Sequence, residues 1–124
     1  MRTIFRPALL WTLALLVFCA YAVGPDDLAR AFAALDENED IRCIILRGAG
    51  DKALGPGADI AEFSERRNNS EQGAAYGAVM HKSMAAIRDC RHPVVARILG
   101  LCVGGALELA LMCDLRIAGE GARF

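Results

Sequence analysis

A run of residues from Pro7 to Val23, apolar throughout except for Thr12, dominates the start of the chain, and nothing after it looks the same. As a helix the run would extend about 26 Å at 1.5 Å per residue, slightly short of a hydrocarbon core of about 30 Å. Arg2 and Arg6 precede it and Ala20-Tyr21-Ala22 stands near its end. A basic start, an apolar centre and a small-x-small exit are the parts of a secretory signal peptide. The run is equally readable as a buried strand or helix of a soluble fold, or as an altered N-terminus. Residues 1–24 are therefore set apart as signal-like or anchor-like, and residues 25–124 as a domain.

Past Gly24-Pro25 the apolar positions become periodic. Leu28, Ala31, Phe32 and Leu35 fall at i, i+3, i+4 and i+7, one face of an amphipathic helix with Asp26 or Asp27 available to cap it. The acidic turn from Asp36 to Asp40 ends that helix. Ile41 to Leu46 is a short, β-branched, nearly continuous apolar run, the mark of a strand covered on both faces. A glycine-rich loop follows from Gly48 to Gly57. A short helix is predicted over Asp59 to Arg66 and a polar connection over Arg67 to Ser70. A longer helix follows from Glu71 to Asp89, with Tyr76, Met80, Met84 and Ile87 along one side. His92-Pro93 interrupts the helical pattern, since proline biases the residue before it away from helix. Val94 to Ile98 reads as a second buried strand, Gly100 to Gly105 as another glycine loop, Ala106 to Met112 as a helix and Cys113 to Ala118 as a third strand. Helices and strands alternate, so the expected architecture is α/β, with a parallel sheet and right-handed crossovers.

Composition narrows the function classes. At 124 residues the chain holds one small domain, and 55% hydrophobic with 23% charged residues argues against disorder throughout. A net charge of −1 with scattered basic residues excludes the electrostatic footprint of a nucleic-acid binder. Cys19, Cys43, Cys90, Cys102 and Cys113 form no CxxC, and an odd number set in apolar runs reads as buried free thiols. Free thiols favour a reducing compartment, against the export signal that the first residues resemble. His81 and His92 read as surface or capping residues.

Several readings compete for the two glycine loops. Gly48-Ala49-Gly50-Asp51-Lys52-Ala53 matches the G-x-G-x-x-A form of a dinucleotide fingerprint, but Gly55-Pro56-Gly57 intervenes where a helix must open at once. It is not a Walker A loop either, since no Gly-Lys-Ser/Thr follows. Val94 to Met112 has membrane length with Gly100 and Gly104 at G-x-x-x-G spacing. Arg97 and Glu108 would each cost about 2.5–3.5 kcal/mol near a membrane centre, which argues against that reading.

What the loops share is that each leads from a buried strand towards a helix start. Free N–H groups there attract negative charge, and glycine lets a ligand approach the main chain. Two such loops from neighbouring parallel strands can converge on one oxygen, the geometry of an oxyanion hole. Glu108, three residues after Gly105, shares a helix face with that amide. Burial among Ala106, Leu107, Leu109 and Ala110 would raise its pKa and its helix-start position would lower it. The competing reading of Glu108 is a structural ion pair with Arg97 or Arg116.

Five segments in order then resemble the crotonase superfamily, the enoyl-CoA hydratases and isomerases. They are Ile44 to Gly50; Gly57-Ala58-Asp59-Ile60; His92-Pro93-Val94-Val95-Ala96; Gly100-x3-Gly104-Gly105-Ala106-Leu107-Glu108-Leu109-Ala110; and Cys113 to Ala118 with Ala122-Arg123-Phe124. The resemblance runs from about Asp27 to the end and implies part of a crotonase-like (ClpP/crotonase) fold. It implies that the backbone N–H groups of Ala58 and Gly105 form the oxyanion hole for an acyl-CoA thioester. Glu108 is similar to the first of two glutamates that position and activate water in hydratases. Lys52, Gly57, Asp59, Ile60 and Gly104 are implied as contacts for the substrate. No metal or separate cofactor is implied, coenzyme A being part of the substrate.

The chain also departs from the family pattern. A crotonase domain has roughly twice this length, and the second hydratase glutamate, which follows shortly after the Ala-Arg-Phe segment, has no counterpart here. The apolar run stands where the family has its opening strands. Pro56 and Ala106 occupy positions where smaller residues are usual. The expectation is an acyl-CoA-binding protein of hydratase type that is incomplete as a catalyst, the alternative being a non-catalytic, membrane-tethered remnant. The resemblance places it in the cytoplasm, and as a homo-oligomer if complete; residues 7–23 offer membrane contact or export instead.

Overall fold

The structure is a computed structural model and describes residues 14–17, 25–57 and 69–124. Its main sheet has four parallel strands, β1 (Ala14–Val17), β2 (Ile44–Arg47), β4 (Val94–Ile98) and β6 (Leu115–Ala118), in the order β1-β2-β4-β6. Register runs Ala14↔Ile44, Ile44↔Val94 and Val95↔Leu115. Among the described residues three helices connect these strands: α1 (Pro25–Glu37), α2 (Ser70–Arg88) and α3 (Gly105–Met112). The expected α/β architecture with a parallel sheet is the one observed.

Each element follows from its residues. In α1, Pro25 sits at the first helical position, where its missing N–H costs nothing. Asp26 and Asp27 lie inside the first turn, so they complement the helix dipole from within. Leu28 and Phe32 are almost fully buried, as the stripe requires. α2 begins at a cap, with Asn69 Oδ1 accepting from Gln72 N at 2.8 Å. Its buried residues are Ser83 and Ile87, and Ser83 donates to the Met80 carbonyl at 2.8 Å, so the hydroxyl is satisfied inside the core. Both α1 and α3 pack against α2.

Ile44, Leu46, Val94, Ala96 and Ile98 form the centre of the core, with Leu28, Phe32, Ile87 and Cys102 around them. The alternating residues Ile45, Val95 and Arg97 are half-buried, so β2 and β4 are covered unequally on their two faces. β6 differs. All four of its residues are exposed, Leu115 by 60% and Ile117 by 63%, and it begins at Leu115 because Cys113 terminates α3. Leu111 and Phe124 are also exposed, so this flank of the sheet is apolar and open to water.

A second sheet of two parallel strands, β3 (Ala53–Gly55) and β5 (Leu101–Cys102), joins the two glycine loops. Its strands are too short for any hydrophobic period to announce them. Arg123 extends it: Cys102 N donates to Arg123 O at 2.8 Å and Arg123 N to Gly100 O at 2.9 Å.

Of the N-terminal apolar run, Ala14–Val17 is β1, paired with β2. The remainder of the run and the helix expected over Asp59 to Arg66 lie outside the described residues. Among the described residues no helix is long and apolar enough to cross a membrane.

Cys43, Cys90, Cys102 and Cys113 are free thiols, the last two buried; Cys19 lies outside the described residues. Burial pushes the Cys113 thiol up to about 12, with Arg116 pulling weakly the other way. In the native chain Cys113 should therefore react with a thiol-exchange reagent at pH 8 only as fast as the protein unfolds, and at once in denaturant. Rapid native labelling of Cys113, located by peptide mapping, would contradict this packing.

Asp36, near the end of α1, accepts from Arg91 N at 2.6 Å and so ties α1 to the turn that enters β4. That bond holds its carboxyl below the ordinary carboxylate value. A folded-state pKa lower than the unfolded one contributes stability above the unfolded value, about 3.9, and that stability is lost as pH falls through the folded value. Asp36→Asn should lower the melting temperature most near neutral pH, with the gap to wild type closing as pH falls past the unfolded value and through the folded one. A gap independent of pH would exclude the carboxylate as its source.

Candidate functional site

The two glycine loops leave the carboxyl ends of β2 and β4, the end of a parallel sheet where ligands characteristically bind. The small sheet then brings them together. Leu101 N donates to Lys52 O at 3.0 Å, and Val103 N to Gly55 O at 3.2 Å. Beyond Gly55 the first loop turns at Gly57, with φ +94°, and beyond Val103 the second turns at Gly104, with φ +56°. Both values are ones that side chains disfavour, and both turns are needed for the chains to meet.

The contact between them is main chain on main chain. A β-carbon on Gly57 would stand 3.2 Å from Val103 O and 3.4 Å from Gly105 N; one on Gly104 would stand 3.4 Å from Gly57 Cα. Gly104 and Gly105 open α3. The Gly104 carbonyl accepts from Leu107 N at 2.9 Å and Glu108 N at 3.1 Å, and the Gly105 N–H meets no backbone acceptor among the described residues. An amide free at the start of a helix is an electropositive point beside Gly57.

The expected site residues fall into three groups. Gly57, Gly104 and Gly105 are brought into contact, with Glu108 one helical turn further on. Ala58, Asp59 and Ile60 lie outside the described residues, so one expected donor is located only through its neighbour Gly57. Lys52 precedes β3, whereas Gly57 follows it, and five residues of extended chain span roughly 16 Å. Its side chain is exposed there, at the far end of the strand from the amide cluster.

One expectation about Glu108 is corrected. The apolar residues flanking it in sequence do not bury it: Ala106 and Ala110 turn into the core, and Glu108 is exposed on the same open face as Leu111. The competing ion pair is not formed with either arginine among the described residues. Arg116 instead donates to carbonyls at the end of α3, as described below.

At the opposite end of the sheet, Glu39, Ile41, Arg42, Arg91, His92 and Pro93 line a shallow concavity at the start of β2 and β4. His92 is half-buried, with its Nε2 enclosed and unpartnered. It stands away from the glycine loops.

Comparisons with known proteins identify the family and the fold. The model of the family described as enoyl-CoA hydratase/isomerase matches residues 22–124. The chain belongs to the enoyl-CoA hydratase/isomerase family. It is 36% identical to the short-chain-enoyl-CoA hydratase of Clostridium acetobutylicum over 90 residues, covering 73% of this chain and 34% of that one. It is 35% identical to the crotonyl-CoA hydratase of Syntrophomonas wolfei over 98 residues, covering 79% and 37%. Among solved structures, an enoyl-CoA hydratase/carnithine racemase from Magnetospirillum magneticum superposes with a TM-score of 0.77 at 46% identity, covering 82% of this chain and 39% of that one. The fold is thus crotonase-like, and the chain spans between a third and two fifths of the length of these family members.

Sequence reading missed the β3–β5 pairing, the role of the Arg123 backbone in extending it, and the position of Arg116. Arg116 carried a faint signal: a cation four residues past the end of a helix whose last turn has no basic residue.

Gly57→Ala tests the close approach, because it places a methyl group at 3.2 Å from Val103 O and forces a left-handed φ on alanine. It should lower stability by about 1–3 kcal/mol, read from the urea midpoint. Gly50→Ala, which meets nothing within 4 Å, is the control and should change the midpoint little. Equal effects at both positions would remove the contact from the account.

Proposed function

We propose that this chain binds an acyl-CoA thioester of the 2-enoyl type, holding its carbonyl oxygen at the Gly105 amide, with Glu108 managing a proton nearby. The observation that carries the reading is the close approach of Gly57 to Gly105 N at the mouth of a parallel sheet. Ala58, next to Gly57, is the proposed second donor. Two N–H groups at one oxygen stabilise the enolate-like charge that develops when a nucleophile adds to the conjugated double bond. Each such donor is worth about 2.7–4 kcal/mol in other enzymes. In hydration, the water oxygen bonds to C3 and electron density moves through C2 to the thioester oxygen. Glu108 accepts the proton that the attacking water loses. Solvent water then gives a proton to C2 as the carbonyl reforms, and Glu108 returns to solvent the proton it has taken.

The open face around Glu108, Leu111 and Leu115 bears on rate. A site that water enters freely weakens every charge interaction on which the enolate depends. Binding and polarisation with slow turnover is therefore the proposed behaviour of the chain itself.

Titration calorimetry with crotonyl-CoA, together with loss of the conjugated enoyl absorbance, tests this. Wild type should bind the thioester and hydrate it slowly. Glu108→Gln should keep binding and reduce hydration by on the order of a hundredfold. No binding by wild type, or undiminished hydration by the Gln variant, would overturn the assignment.

A further inference from the structure

The helix that presents the Gly105 amide is only eight residues long, and its far end is held from outside. A two-turn helix is marginal by its own hydrogen bonds, and its last carbonyls have no partners within it. The last turn of α3 contains no basic residue. Arg116, from β6, supplies one: its Nη1 donates to Cys113 O at 2.8 Å, Ala110 O at 3.3 Å and Leu111 O at 3.5 Å. Ala110 O also accepts from Cys113 N at 3.3 Å, so the guanidinium reinforces that carbonyl, adds a charged donor at Leu111 O and at Cys113 O just beyond the helix, and complements the helix dipole.

The corner that carries Arg116 is itself pinned to the sheet. Asp114 N donates to Val94 O at 2.9 Å, and Val94 N donates to Asp114 Oδ2 at 2.7 Å, a reciprocal pair across β4 and β6. The Cys113 thiol adds a contact to Leu109 O at 3.4 Å. The chain of contacts therefore runs from the first residue of β4, through Asp114 and Arg116, to the last turn of α3. At the other end of α3, Gly104 rests against Gly57. A short rigid helix fixed at its C-terminal end transmits that fixation to its first amide, because only two turns lie between them.

We propose that Arg116 is a positioning residue for the oxyanion site: by clamping the C-terminal carbonyls of α3 to β6, it fixes the direction in which the Gly105 N–H points. The inference rests on the acyl-CoA reading for its chemical consequence, but the mechanical part stands on the contacts alone. All three bonds come from the one nitrogen Nη1, which arginine carries one bond further from the backbone than lysine carries its ammonium, so lysine should restore the clamp only in part.

The full chain and the variants Arg116→Met and Arg116→Lys decide the question by two readouts. The first needs no ligand: amide hydrogen exchange at Leu107 and Glu108, whose N–H groups bond to Gly104 O at the start of α3. In Arg116→Met both should exchange at least about tenfold faster, one step of about 1.4 kcal/mol in the opening equilibrium, and Arg116→Lys should lie between it and wild type. Acceleration confined to the amides of residues 110–113, with Leu107 and Glu108 unchanged, would overturn the proposal. The second readout is the infrared carbonyl band of crotonyl-CoA labelled with ¹³C at the thioester. Wild type should lower its frequency on binding; Arg116→Met should lose most of that downshift while the dissociation constant changes little, a separation that general loosening would not produce. An unchanged downshift in Arg116→Met also overturns the proposal. If wild type binds no thioester, the acyl-CoA reading fails and the exchange data alone decide whether the clamp acts. If Arg116→Met does not fold, Arg116→Lys carries both measurements, and wild-type values in it would overturn the proposal.

Discussion

Two stretches of main chain touch at Gly57 and Gly104, and the arrangement of this molecule is organised around making that contact possible. Peptide groups approach so closely only where no β-carbon stands between them, and only where both chains can turn through left-handed φ. Glycine meets the two conditions together. The surrounding structure must still deliver the loops to the same place. The four-stranded parallel sheet sets β2 and β4 side by side, and the small β3–β5 sheet carries their exits onward in parallel. The Arg123 backbone, bonded to both Gly100 and Cys102, closes that small sheet on its other side.

Energetically the support divides into two layers. The apolar layer, with Ile44, Leu46, Val94, Ala96 and Ile98 at its centre, is non-directional and fixes where the sheet sits relative to the helices. The polar layer is directional and lies at the joints: Asp36 on Arg91 N, Asp114 on Val94 N, Asn69 on Gln72 N and Arg116 on the end of α3. A burial energy can place a helix to within a rotamer change, whereas aiming an amide requires bonds with angles. That division explains why polar and charged groups recur at the joints here while the buried faces of β2 and β4 stay apolar.

Much of this was legible beforehand, for reasons that differ by element. The stripe of Leu28, Phe32 and Leu35 and the run from Ile44 to Leu46 announced a helix and a strand because burial imposes a period on side chains. The pairing of Gly57 with Gly104–Gly105 was legible as a possibility because glycine before a helix start has few other uses. β3 and β5 were not legible, since two- and three-residue strands held by backbone bonds leave no pattern in side chains. The exposure of Glu108 was misjudged because its sequence neighbours are apolar. On a helix the neighbours that bury a residue are three and four positions away and on other elements, and Ala106 and Ala110 occupy the inward face instead. In the apolar run the four residues Ala14–Val17 add a strand beside β2, an outcome that uniform apolarity does not separate from a helix.

In the proposed acyl-CoA site the polarising atom at the start of α3 belongs to the peptide group of Gly105 and not to any side chain. Mutation can therefore exchange almost every residue around it without deleting the donor; among the natural amino acids only proline removes the hydrogen itself. Chemistry built this way is unusually tolerant of sequence drift. On that proposal, the side chains lining the approach to the helix would be free to diverge to fit different acyl groups while the donor atom stays in place. A family with that property can diversify its substrates faster than its catalytic principle.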